Sequence, residues 1–116
     1  REPEASRYLD ILFQNEAILI APINYVECMM VANARLRTQA EPSVKALFNA
    51  LGIAVEPTDA EQTFIAYEAY RRFGKGIHPA GLNLGDCFAY ALAKSLDMPL
   101  LFKGDDFTKT DIAAAT

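Results

Sequence analysis

Three short apolar runs, separated by helical sequence, constrain this chain more than any other feature. They are "AILIAP" (17–22), "IAVEP" (53–57) and "PLLFK" (99–103), rich in aliphatic residues and each bounded by proline. Runs of this length and composition read as strands buried in a sheet. The sequence between them carries helical spacing instead. Residues 23–39 hold the apolar "YVECMMVANARL" stretch, and "EPSVKALFNALG" (41–52) places Pro42 near a helix start and Gly52 at its end. "TDAEQTFIAYEAYRRFG" (58–74) opens on a capping box from Thr58 to Glu61 and stops at Gly74. "KGIHPAGLN" (75–83) reads as a loop, and "LGDCFAYALAKSLD" (84–97) as a helix with Phe88, Ala91, Leu92 and Ser95 or Leu96 along one side. Strands joined through helices pair in parallel, because a tight turn links only antiparallel neighbours. The expectation is one α/β domain over residues 1–116, its parallel sheet covered by helices.

The chain opens on Arg1 and at once reads as an amphipathic helix, "EPEASRYLDILFQN" (2–15), with Tyr8, Leu9, Leu12 and Phe13 on one stripe. Three strands make a small parallel sheet, so a further strand is expected before Arg1. No repeat or linker interrupts the sequence. With 52% hydrophobic and 22% charged residues the composition is that of a globular protein. The longest apolar run, Cys28–Ala32, is far shorter than the roughly 20 residues that span a bilayer, and no signal-peptide pattern is present, so a cytoplasmic protein is expected. Cys28 and Cys87 are far apart and His78 is the single histidine, which argues against a Cys/His zinc site. Both cysteines read as small buried hydrophobes. The net charge of −4 excludes holding nucleic acid by overall charge; such a partner needs a local basic patch, a divalent ion, or both.

Three acidic positions stand out. Glu27 lies within the apolar stretch, and its helical neighbours Ile23, Met30, Val31 and Ala34 form an apolar face. A carboxylate buried there needs a positive partner; an edge position snorkelling to water or meeting an arginine is the other reading. Asp86 follows Asn83 by three, which fits a capped helix start as well as a ligand. Asp105 and Asp106 end the third apolar run, where α/β sheets gather their sites, although Gly-Asp-Asp is also ordinary turn chemistry. Helix starts and strand ends share one edge of a parallel sheet. Carboxylates gathered there repel unless a cation neutralises them. An all-oxygen cluster suits Mg2+ or Mn2+.

The stretch "GKGIHPAGLNLGDCFAYALAKSLDMPLLFKGDDFTKTDI" (74–112) resembles the C-terminal half of VapC toxins, the PIN-domain ribonucleases of bacterial toxin–antitoxin pairs. "EPEASRYLDIL", "APINYVECMMVANARL" and "AYEAYRRFGKG" fall where that family has its earlier helices, so the resemblance covers essentially the whole chain. It implies a PIN-like three-layer α/β/α fold and metal-dependent hydrolysis of RNA in the bacterial cytoplasm. Family members open with a strand ending in an aspartate, and this chain has no such segment. By position, Glu27, Asp86 and Asp106 resemble the family's catalytic, metal-holding carboxylates, with Asp105 sharing or replacing the role of Asp106. The resemblance further implies Mg2+ or Mn2+ as cofactor, a VapB-type antitoxin that blocks the site, and a homodimer. Arg71, Arg72, Lys75 and His78 crowd one helix end and its loop, and Lys103 adjoins the last acids; Arg72, Lys75, His78 and Lys103 are the expected RNA contacts. A non-catalytic α/β interaction domain, whose acids are caps and turns, is the rival reading. A metal-dependent phosphoesterase for DNA or a small phosphate ester is another.

Overall fold

The computed structural model describes residues 18–97 and residue 111. The expected first helix, the third strand, Lys103, Asp105 and Asp106 lie outside the described residues. The chain divides into two compact units, one ending at Pro57 and the other beginning at Thr58.

In the first unit, strand β1 (Ile18–Ile20) leads into helix α1 (Pro22–Leu36), a 3-10 turn (Arg37–Gln39), helix α2 (Ala40–Leu51) and strand β2 (Ile53–Val55). The strands pair in parallel, Ile18 opposite Ile53 and Ile20 opposite Val55. This is the helical crossover expected from the spacing of the first two apolar runs. The β1–α1 junction is sharp because Pro22 occupies the first helical turn, where its missing N–H is not needed. Gly52 ends α2 in the left-handed conformation (φ 69°), and its N–H reaches back to the carbonyls of Phe48 and Asn49. Ala21, Ala40 and Val44 are buried. Tyr25 of α1 meets Phe48 of α2 edge to face, with ring centroids 5.5 Å apart.

One expectation for α1 needs correction. The apolar stretch predicts a core-facing helix, yet no residue of α1 is buried. Met30 and Val31 are 66% and 55% exposed. The described part of this unit offers α1 only a short helix and a two-stranded ribbon to pack on. That covers the Tyr25 side and leaves the Met30 side open.

In the second unit, helix α3 (Ala60–Phe73) and helix α4 (Leu84–Ser95) pack together across the loop 74–83. Their contact is built from Ala66, Ala69 and Phe73 of α3 and Cys87, Tyr90 and Ala91 of α4, with Ala80 and Leu82 inserted from the loop. These positions follow the helical repeat, and the alanines let the two backbones approach closely. The buried side of α4 includes the expected Ala91 and Leu92 but turns toward Cys87 and Tyr90, leaving Phe88 half-buried. The start of α3 also differs by one residue. Asp59, not Thr58, is the N-cap, its Oδ1 accepting the Gln62 N–H at 2.8 Å. Aspartate is the stronger cap of the two, so the adjacent acid displaces the Thr58–Glu61 arrangement.

The loop 74–83 is tied at both ends. Lys75 N–H donates to the Leu82 carbonyl at 3.0 Å, and Leu82 N–H donates to the Phe73 carbonyl at 2.9 Å. A short parallel bridge results between Gly74 and Leu82. Leu82 is fully buried and anchors that bridge in the core. Leu82→Ala should therefore cost about 2–5 kcal/mol, read as a lower urea midpoint with little change in the denaturant slope.

Candidate functional site

The loop delivers the chain directly into a capped helix start. Asp86 N–H donates to Asn83 Oδ1 at 2.9 Å, and Asn83 N–H donates back to Asp86 Oδ2 at 3.1 Å. This reciprocal box satisfies two backbone donors that α4 would otherwise leave open, and it holds the Asp86 carboxylate at the positive end of the helix. Asp86 is half-buried. It thus performs the capping role anticipated for it, while its side chain stays fixed in direction. Capping and ligation are compatible, because a carboxylate offers about four lone-pair directions. Cys87, next in sequence, is buried, and burial followed by the nearby Asp86 charge pushes its thiol up, away from nucleophilic chemistry. Cys28 is also a free thiol.

Glu27 lies in the first unit, on α1, and is exposed; its Oε1 accepts a 3.4 Å hydrogen bond from Asn24 Nδ2. The solvated reading anticipated for it, and not the buried one, describes the structure. Asp105, Asp106 and Lys103 lie outside the described residues. Among the described residues, neither unit by itself gathers three His, Cys, Asp or Glu side chains.

The basic residues divide by role. Lys75 is exposed at the loop entrance and joins Asn83 on the wall of a cavity of about 570 Å³. Tyr67, Tyr70, Leu84 and Phe88 are among the residues that line the same cavity, an aromatic lining that the helical spacing alone did not reveal. His78 is a loop fastener: its Nδ1 accepts the Ala80 N–H at 3.0 Å, and its ring stands edge-on to Phe73 at 5.2 Å. Arg72 lies over the Phe73 ring at 4.7 Å and reaches Asp111 at 3.5 Å.

Asp111 is the residue sequence reasoning missed. It accepts a 2.5 Å hydrogen bond from the buried Tyr90 hydroxyl and lies 3.2 Å from the Lys94 ammonium. Burial pushes its carboxyl up, but the hydrogen bonds from Tyr90 and Lys94, with the charges of Lys94 and Arg72, outweigh it and hold the group below the usual carboxylate range. Tyr90 is driven the other way, above the ordinary phenol value, first by burial and then by Asp111. No local motif announces such a contact, because its partners stand 17 and 21 positions before it.

Two outcomes follow from this geometry. Asn83→Ala should cost about 1 kcal/mol of stability, and Asp86→Asn, which retains an acceptor oxygen, should cost less, both measured by chemical denaturation. The raised Tyr90 value stabilises the fold fully below the unfolded phenol value of about 10 and is lost as pH rises beyond it. Wild type should therefore lose stability relative to Tyr90→Phe above about pH 10, seen in urea melts at stepped alkaline pH.

Comparison with known proteins matches the family described as the PIN domain over residues 1–113. Ribonuclease VapC42 of Mycobacterium tuberculosis is 50% identical over 93 residues, which cover 79% of this chain and 71% of the relative. Ribonuclease VapC30 of the same organism is 39% identical over 112 residues, covering 97% of this chain and 86% of the relative. Ribonuclease VapC of Mycolicibacterium smegmatis is 39% identical over 113 residues, covering 97% and 88%.

Proposed function

Because this chain belongs to the VapC family of PIN-domain proteins, we propose that it is an endoribonuclease toxin, dependent on Mg2+ or Mn2+ and held in check by a VapB-type antitoxin. The observation that carries this reading is the similarity, along nearly the whole chain, to proteins named VapC ribonuclease. The parallel strand pair and the helices around it suit the same α/β fold.

The proposed catalytic carboxylates are Glu27, Asp86 and Asp106, with Asp105 as an additional or substitute ligand. A bound divalent ion supplies Lewis acidity to activate water and to stabilise charge on the phosphate. The protein's own contribution begins with Asp86. The box with Asn83 fixes that carboxylate before any ion arrives, which lowers the ordering cost of coordination. Lys75 and His78, on the loop that leads into α4, are the proposed contacts for RNA phosphates, with Lys103 assigned the same role. Phosphate contacts of this kind orient a substrate without reading its sequence. Arg72, already engaged by Asp111, contributes less to RNA than its neighbours. No protein nucleophile takes part, in keeping with the inert, buried Cys87. A homodimer and a cytoplasmic location complete the proposal. Among the described residues, no helix is long and apolar enough to cross a membrane.

The test is RNA cleavage by the intact protein in Mn2+ or Mg2+, beside Glu27→Gln, Asp86→Asn and Asp106→Asn. Each substitution should reduce cleavage by at least about 100-fold, and chelation by EDTA should abolish it. Cleavage that is equal in wild type and all three variants would overturn the assignment. Equal cutting of RNA and DNA of one sequence would favour a general phosphoesterase.

A further inference from the structure

We infer that the cavity lined by α3 and α4 is a subsite for one unpaired nucleobase of an RNA strand, stacked on Tyr67 and Tyr70 with its phosphate at Lys75. This inference deepens the ribonuclease reading given above and rests on it. The cavity, of about 570 Å³, is lined entirely by residues of the second unit. Ligand pockets commonly enclose roughly 300–1,000 Å³ behind a mostly apolar lining with a few polar groups. Buried Ala66, Leu82 and Cys87 give this one an apolar interior. Tyr67 and Tyr70, three positions apart on one face of α3, line it together with Phe88 of α4. Yet Tyr67 and Tyr70 are 65% and 44% exposed. The Tyr70 ring lies against Gly74, where a Cβ would overlap its ring atoms, so its place depends on glycine at the start of the loop.

Charge decides what such a cavity holds. Among the described residues of this unit, Arg71 pairs with Glu68, and Arg72 and Lys94 both pair with Asp111. Lys75, exposed on the cavity wall, forms no such ion pair among the described residues. An ammonium without an acid, set beside aromatic rings, suits a ligand that is flat, apolar on its faces and joined to an anion. That is the chemistry of a nucleotide. An apolar protein segment would leave the charge unanswered. Asn83 lines the cavity and also exchanges two hydrogen bonds with Asp86, so the subsite borders the carboxylate proposed for cleavage. A base inside a duplex is stacked between its neighbours and cannot enter, so the cavity selects unpaired RNA.

The test is equilibrium binding of a labelled single-stranded RNA of mixed sequence to the intact protein in EDTA, read by fluorescence anisotropy. Tyr67→Ala should weaken binding at least about fivefold, and Tyr67→Phe, which keeps the ring, should bind like wild type. Tyr67→Leu, which keeps apolar bulk without an aromatic face, should match Tyr67→Ala and guards against a loss caused by misfolding. Lys75→Gln should lower the slope of log affinity against log salt by roughly 0.7. Abasic replacement along the RNA, one position at a time, should weaken wild type at a defined position and leave Tyr67→Ala nearly unaffected there. Wild-type affinity in both Tyr67→Ala and Tyr67→Leu, or the absence of any abasic-sensitive position, overturns the subsite. The ribonuclease reading then still stands if cleavage in Mn2+ persists and requires Asp86. Ring-dependent binding by a wild-type protein that cuts no RNA in Mn2+ supports the subsite and overturns the ribonuclease reading. If Tyr67→Ala keeps its RNA affinity but changes the molecular mass in solution, the face is a protein contact and the subsite is overturned.

Discussion

The second unit depends on two helices that come close because alanine lies where they touch. Ala66 and Ala69 of α3 and Ala91 of α4 leave room for Phe73, Leu82 and Tyr90 to fill the contact. A larger residue at any of these alanines would push the helices apart, since packed interiors absorb added volume poorly. The loop 74–83 exists in its tied form because Leu82 has a core to enter. The capping box exists because that loop arrives at Asn83 in extended conformation. The Asp111 contact exists because Tyr90 is held at the helix contact with its hydroxyl directed outward.

The first unit shows how differently burial can be distributed in one small protein. Its parallel strand pair is regular; Pro22 opens the first crossover helix and Gly52 closes the second. Yet α1 keeps its most apolar side exposed among the described residues. Glu27 stands on that helix as a solvated carboxylate. Full burial would impose a desolvation penalty that only a permanent partner could offset.

Much of this was legible in the sequence. Proline, glycine and helical spacing placed α2 through α4 within two residues of their observed limits, because those signals are local and steric; α1 stops three residues earlier than expected, where the 3-10 turn Arg37–Gln39 takes over. The Asn83–Asp86 box was legible for the same reason: its donors and acceptors lie three positions apart. The α3 cap was misplaced by one residue, since Thr58 and Asp59 are adjacent capping residues and the stronger of the two prevails. The exposure of α1 was not legible, because an apolar stripe does not state what covers it. The Asp111 contact was not legible either. Its members are ordinary in isolation and acquire meaning only when tertiary packing brings them together. Family membership was readable from the long stretch 74–112, where motif spacing carried more information than any single residue.

Asp86, which closes the box with Asn83, and Tyr90 and Lys94, which both meet Asp111, are spaced four apart on α4, and this row makes the helix sensitive to length. Side-chain exchanges on its outer face leave the row intact. A single-residue insertion or deletion between Asp86 and Tyr90 would turn the two halves of the row about 100° out of alignment. Natural or engineered variation in this helix should therefore run through replacement, while indels collect in the flanking loop.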